Sequence, residues 1–260
     1  MKSRLKIGVF DSGLGGLTVL KSLLDHLGDC DYVYLGDTAR LPYGSKSAQT
    51  IQKYSEQNLN FLDSQGVDLM VVACNSASAH WSSPVFNGKP VITVIEPTLK
   101  MALKKFKSKK LGVLATRATL NSQAYPKTLN RLDPEVQIEV QAAPLLVPFA
   151  EEGLFDDPLT NLVTYRYVQP LVSKGVDSLI LGCTHYPLLR KSLERAAQNI
   201  PLIESGPAVA QVLMEEHQCL KKENSETAKI DIYLSDEPGH FKNWAEKILG
   251  PYEAQTWNHV

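Results

Sequence analysis

The sequence predicts an α/β protein built as two pseudo-symmetric doubly wound domains, with mainly parallel sheets and the active site between them. Three observations predict it. Short apolar runs alternate with amphipathic helical patterns along the chain, as in parallel sheets covered by helices. Gly66-Val67-Asp68-Leu69-Met70-Val71-Val72-Ala73-Cys74-Asn75-Ser76 is nearly repeated by Gly175-Val176-Asp177-Ser178-Leu179-Ile180-Leu181-Gly182-Cys183-Thr184-His185. A weaker echo joins Lys6-Ile7-Gly8-Val9-Phe10 to Lys110-Leu111-Gly112-Val113-Leu114, and internal repeats of this kind mark duplicated structural units.

The elements follow in order. Lys6–Phe10 reads as a strand, the turn Asp11-Ser12-Gly13-Leu14-Gly15-Gly16 follows, and Leu17–His26 has helical periodicity. Tyr32–Gly36 is the next strand, and the loop Asp37–Gly44 leads to a helix over Ser47–Ser64. The first cysteine strand comes next, then the strand Pro90–Ile95 and a basic helix opened by Glu96-Pro97, whose lysine-rich end reads as a solvated face. In the second half, Lys110–Thr116 is a strand, Val136–Gln141 another, Ala142–Gly153 a loop, and Pro158–Lys174 a helix before the Cys183 strand. A helix over Ala208–Leu220 and a strand over Ile230–Leu234 exceed what two bare repeats need, so the C-terminal part is expected to return to the first domain. The expected division is residues 1–96 with 208–260 as a discontinuous first domain, and 97–207 as the second.

Composition narrows the function. At 260 residues, 43% hydrophobic and 21% charged, the chain is an ordinary globular protein with a formal net charge of -1. That balance gives no electrostatic case for nucleic acid or an anionic membrane, and no apolar run approaches membrane-spanning length. Met1–Lys6 lacks the apolar stretch of a signal peptide, so the cytoplasm is the expected compartment and Cys30, Cys74, Cys183 and Cys219 are expected to be reduced.

Each repeated cysteine follows a buried-type strand, which places both thiols at strand carboxyl ends, where open α/β sheets bind ligands. A single cysteine there is usually an inert small hydrophobe. Two at matching positions suggest thiols facing one substrate from opposite sides. Zinc is a rival reading, since Cys74, Cys183 and His185 could converge, but no paired motif supplies a closed ligand set. A redox disulfide lacks a thioredoxin-like context. A dinucleotide site after the first strand lacks its third glycine, because Thr18 stands there. The glycines instead expose N–H groups at a helix start, suited to a small carboxylate, and Asp11 is either a helix cap or a functional acid.

Opposed thiols suit inversion of a stereocentre, which requires a base on one face of a carbon and an acid on the other. A thiol with an ordinary pKa of about 8.5 can serve either role when neighbours tune the pair apart. His185 is placed to tune Cys183, and Asp11 to tune Cys74.

Phe10-Asp11-Ser12-Gly13-Leu14-Gly15-Gly16, Pro42-Tyr43-Gly44, Ala73-Cys74-Asn75-Ser76-Ala77-Ser78, Val147-Pro148-Phe149-Ala150-Glu151 and Gly182-Cys183-Thr184-His185-Tyr186-Pro187 together resemble the glutamate racemase family. The resemblance implies two pseudo-symmetric α/β domains, no cofactor and no metal, and interconversion of L- and D-glutamate to supply D-glutamate for peptidoglycan. It implies that Cys74 takes the α-proton of D-glutamate with help from Asp11, and that Cys183 acts on L-glutamate with help from Glu151 and His185. Ser12, Pro42, Tyr43, Gly44, Asn75, Ser76 and Thr184 would line the substrate site, with Thr116 and Thr119 contributing. Ser76 stands where the family more usually has threonine. A homodimer is the expected assembly. The alternatives are an aspartate racemase, another thiol-dependent member of the superfamily, and a non-catalytic binding protein for an acidic metabolite.

Overall fold

The computed structural model describes residues 4–216, 220–221, 228–236, 239, 241–254 and 256–260. In chain order its elements are β1 Leu5–Asp11, α1 Leu17–His26, β2 Leu27–Gly28, β3 Cys30–Gly36, α2 Ala48–Ser64, β4 Leu69–Val72, α3 Asn75–Ser78, β5 Val85–Phe86, β6 Lys89–Thr93 and α4 Ile95–Lys105. They continue with β7 Lys110–Ala115, α5 Arg117–Ser122, α6 Ala124–Leu132, β8 Gln137–Ala142, α7 Leu146–Glu151, α8 Pro158–Ser173, β9 Ser178–Gly182, α9 Arg190–Ala197, β10 Leu202–Ile203 and α10 Ser205–Glu216. The last are β11 Leu220–Lys221, β12 Ile230–Leu234, α11 Phe241–Leu249 and β13 Thr256–His259.

Two main sheets result. The larger has the order β13-β12-β3-β1-β4-β6-β5, parallel except for β5, and the smaller has the parallel order β10-β9-β7-β8. The run β3-β1-β4-β6 of one corresponds to β8-β7-β9-β10 of the other. The sequence echo has a physical basis in each half. Gly8 leaves room for Val67, whose nearest methyl lies 3.1 Å from where a Cβ would stand, and Gly112 makes the same allowance for Val176 at 3.1 Å. The aspartate after each valine then seats the strand: Asp68 Oδ2 accepts from Lys6 N at 2.7 Å, and Asp177 Oδ2 accepts from Lys110 N at 2.9 Å. One packing rule, used twice, brings β4 beside β1 and β9 beside β7.

The alternation of strand and helix is as expected, and several boundaries move. The predicted loop over Ala142–Gly153 contains α7, with Glu151 its last residue. The helix expected over Ala208–Leu220 begins at Ser205 and is described to Glu216; residues 217–219 lie outside the described set, and Leu220 pairs with Gly28 in a small antiparallel ladder. Ile95 opens α4 where it was expected to end a strand. The lysine run splits between the end of α4 and the start of β7, with Lys104, Lys105, Lys107 and Lys109 exposed. The chain returns to the first sheet at β12, which pairs with β3 from Ile230 opposite Tyr32 to Leu234 opposite Gly36.

Apolar side chains fill both faces of each sheet. Ile7, Val9 and Val71 pack under α1, α10 and α11, while Phe10, Met70 and Val72 pack under α2. Leu114, Leu179 and Leu181 face α8 and α9, and Val113 and Ile180 face α4 and α6. Burial on this scale, at about 25 cal/mol per Å² of apolar surface, fixes the strand tips as rigid points from which functional side chains project.

Candidate active site

The carboxyl ends of β1, β4 and β9 open into one cleft of about 270 Å³, close to the lower end of the roughly 300–1,000 Å³ typical of small-molecule pockets. Cys74 follows β4 and is the N-cap residue of α3; Cys183 follows β9. Both thiols line the cleft, together with Ser12, Pro42, Tyr43, Gly44, Asn75, Ser76, Thr116, Glu151, Thr184 and His185. Of the residues singled out in the sequence, Asp11 and Thr119 lie just behind its wall. Leu41, Ser45, Pro144, Val147 and Pro148 complete the lining and carry no chemical signal that would have marked them beforehand. Val147 and Pro148 belong to the motif that led to Glu151, while the other three are loop residues of ordinary type.

The surroundings of the two thiols are electrostatically opposed. Cys74 Sγ donates to Ser12 Oγ at 3.8 Å. Burial pushes its pKa up, and the nearby Asp11 carboxylate pushes it further, which favours the thiol form of Cys74. Cys183 Sγ instead lies 3.8 Å from His185 Nδ1, and His185 Nε2 pairs with Glu151 Oε1. Burial alone would depress the His185 pKa, but the bonds to Cys183 and Glu151 outweigh it and hold the ring well above the usual histidine range. This favours the protonated ring, whose Nδ1 faces the Cys183 sulfur while Glu151 holds its far side.

Asp11 is fully buried at the tip of β1. Its Oδ2 accepts from Gly13 N at 3.0 Å, and its Oδ1 accepts from Thr184 Oγ1 at 3.1 Å. Burial raises its pKa, opposed first by the charge of His185 and then by the N–H donors of Gly13 and Gly16 and by Thr184. It does not cap α1, whose N-cap residue is Gly16. The glycine turn also permits a close approach, since a Cβ on Gly15 would stand 2.5 Å from both His185 Nδ1 and Thr184 Oγ1. The backbone of the first half therefore touches the residues around Cys183 in the second half directly.

Polar groups crowd the other walls. Thr116 caps α5 by accepting from Thr119 N at 3.2 Å, and its hydroxyl lies 2.9 Å from Ser76 Oγ and 3.0 Å from Thr119 Oγ1. Asn75 Nδ2 donates to Tyr125 OH at 3.0 Å, whereas Asn75 Oδ1 is buried without a hydrogen-bond partner among the described residues. Tyr43 is held from behind by a carboxylate that sequence reasoning did not single out. Asp37, fully buried, accepts from Tyr43 OH, from Arg40 Nε at 2.8 Å and from Ser235 Oγ at 3.0 Å, and Asn58 Nδ2 donates to Tyr43 OH at 3.0 Å. This cluster fixes Leu41–Ser45, whose Leu41–Pro42 peptide is cis. Among the described residues no group of three or more His, Cys, Asp or Glu is placed to hold a metal, and no helix is long and apolar enough to cross a membrane.

Residues 8–213 match the family model for Asp/Glu/hydantoin racemase. The chain is 43% identical over 248 residues to a glutamate racemase of Aquifex aeolicus, covering 95% of this chain and 94% of that protein. Among solved structures, it is similar to a glutamate racemase isoform from Bacillus anthracis, with 31% identity, a TM-score of 0.90 and coverage of 99% and 98% of the two chains. It is also similar to the glutamate racemase from Francisella tularensis in complex with D-glutamate, with 33% identity, a TM-score of 0.88 and the same coverage.

Proposed function

The chain belongs to the Asp/Glu/hydantoin racemase family, and on that premise we propose that it interconverts L- and D-glutamate without a cofactor, by proton transfer between Cys74 and Cys183. The observation that carries this reading is the placement of two thiols in one cleft with different partners, Cys74 near the Asp11 carboxylate and Cys183 beside the His185–Glu151 pair. Stereoinversion needs such a pair, one group to take the α-proton and one to return it on the other face.

With L-glutamate bound, the sulfur of Cys183 as thiolate takes the α-proton, and the electron pair stays on the α-carbon and its carboxylate. Cys74, a thiol, delivers its proton to the opposite face and becomes the thiolate. From D-glutamate the roles reverse: Cys74 acts as thiolate with Asp11 beside it, and Cys183 donates with His185 and Glu151 behind it. The α-proton of an amino acid is weakly acidic, so the carbanion needs donors preorganised around the carboxylate in a water-poor cleft. The hydroxyls of Ser12, Ser76, Thr116 and Thr184 and the backbone N–H groups around Tyr43 and Gly44 suit that role. Asn75 Oδ1, without a hydrogen-bond partner among the described residues, suits the substrate ammonium. Thr119 supports Thr116 and Ser76 from behind.

The cleft lies between two lobes, read as residues 1–96 with 208–260 and residues 97–207, and closure of these lobes around glutamate completes the site. The D-glutamate formed supplies peptidoglycan, the working compartment is the cytoplasm, and the assembly is a homodimer. The test is racemisation of each glutamate enantiomer by the purified protein without added cofactor. Loss of optical activity from both supports the reading. Turnover of aspartate alone would move the chain to aspartate racemisation, and binding of glutamate without α-proton exchange would make it a binding protein.

A further inference from the structure

Tyr125 stands near the start of α6 in the second half and is buried in an apolar cluster with Leu99, Leu111, Val113 and Ile180. Such a position ordinarily suits phenylalanine, because a buried hydroxyl costs free energy unless it is hydrogen-bonded. Its partner lies in the first half, where Asn75 Nδ2 donates to Tyr125 OH at 3.0 Å. Asn75 is the residue after Cys74. The ring of the same tyrosine lies against the backbone before the other thiol, its Cε2 3.3 Å from where a Cβ on Gly182 would stand. One buried side chain therefore reaches from the residue preceding Cys183 to the residue following Cys74. Asn75 lines the cleft and Tyr125 does not.

Among the described residues the Asn75 side chain makes one hydrogen bond, the one to Tyr125. The backbone of Asn75 is fixed in α3, where its carbonyl accepts from Ala79 N at 2.9 Å, so the freedom left to the residue is rotation of its amide. A planar amide has a donor end and an acceptor end. With Nδ2 committed to Tyr125, the end left to meet a ligand is Oδ1, buried and without a partner among the described residues. We propose that Tyr125 is a positioning residue for the reaction, holding the Asn75 amide with its acceptor end presented to the substrate ammonium. The proposal rests on the reading of the cleft as a glutamate site. Burial raises the pKa of the phenol, the bond from Asn75 opposes this and the charge of Cys183 adds to it, which favours the neutral hydroxyl. A neutral phenol behind the cleft wall orients a neighbour and takes no proton from the substrate.

Tyr125→Phe removes the hydroxyl and keeps the ring against Gly182. KM for each glutamate enantiomer is expected to rise about tenfold, the scale of one hydrogen bond to a charged group, with kcat changed less than about twofold. Calorimetry with an equilibrated mixture of L- and D-glutamate, in which no net reaction occurs, is expected to show the same loss of affinity. Asn75→Ala is expected to weaken binding at least as much, and the double variant to bind no worse than Asn75→Ala alone, because the tyrosine acts through the asparagine. Unchanged KM and affinity in Tyr125→Phe, whatever its melting temperature, would overturn the proposal. So would a double variant in which the two losses multiply. A wild type that binds glutamate without racemising it refutes the catalytic reading alone, since the affinity comparison still decides the role of Tyr125. A wild type that binds no glutamate overturns both.

Discussion

Thr184 donates a 3.1 Å hydrogen bond to Asp11, tying the residue after the second thiol to the tip of the first strand of the other half. Thr18 Oγ1 adds a second tie by donating to Thr184 O at 3.0 Å. The two halves of the repeat are therefore joined at the point where their thiols share a cleft. Asp11 also accepts from Gly13 N and lies under the field of His185, so a single buried carboxylate senses both sides of the site.

Thr184→Val removes that donor while keeping the shape of the side chain. Asp11 then loses one of the groups that lower its pKa, and a buried acceptor left short costs about 1–3 kcal/mol. Thermal unfolding is expected to show the loss, with slower racemisation in both directions, and Thr184→Ser is expected to restore both.

Glu151→Gln leaves the His185 imidazolium without its carboxylate, and the pKa of the ring falls. The alkaline limb of the rate profile is expected to move to lower pH. Because His185 holds its proton more tightly folded than unfolded, its pairing contributes stability that is fully present below pH 6.5, the unfolded value, and is lost as pH rises through the higher folded value. The melting-temperature gap between wild type and Glu151→Gln should accordingly narrow as pH rises above 6.5.

Gly15→Ala puts a methyl group where His185 Nδ1 and Thr184 Oγ1 lie 2.5 Å away. Something must shift, at a cost of about 1–3 kcal/mol for overpacking. Turnover is expected to fall by far more than that stability loss implies, because the displaced groups are those beside Cys183. Circular dichroism with steady-state kinetics separates the two effects, and native-like kinetics would contradict this placement.

Tyr43→Phe takes one donor from the buried Asp37 and one acceptor from Asn58. Loosening of Leu41–Ser45 is expected to raise KM more than it lowers kcat, since this segment lines the cleft and carries neither thiol. Ser235→Ala, which removes another donor to Asp37 from just after strand β12, should reproduce the effect more weakly.

The parts of this arrangement that were legible in the sequence are those written in local pattern. Val67-Asp68 and Val176-Asp177 announced the strands before Cys74 and Cys183 because the same valine-glycine contact and aspartate seat recur in both halves. The partner of Asp11 was not legible, since Thr184 lies 173 residues away and only the fold brings them together. Its place at a neighbouring strand tip pointed from Asp11 toward Cys74, and the charge of Asp11 does act on that thiol, whereas its side-chain hydrogen bonds go to Gly13 and Thr184. Asp37 escaped notice because an acid in a polar loop normally faces solvent; its burial depends on Arg40, Tyr43 and Ser235 converging on it. Helix α7 was hidden by its shortness and by Pro148, which weakens any helical pattern it interrupts.

The most direct test of the two-thiol account is early turnover in deuterated water, with isotope content measured separately in product and in unreacted substrate, starting from each glutamate enantiomer in turn. Two opposed thiols predict product carrying solvent deuterium from the first turnovers, while the remaining substrate stays protiated, in both directions. Protium retained in the product, or deuterium entering both pools equally, would mean that one group serves both faces, and the opposed roles of Cys74 and Cys183 would be wrong.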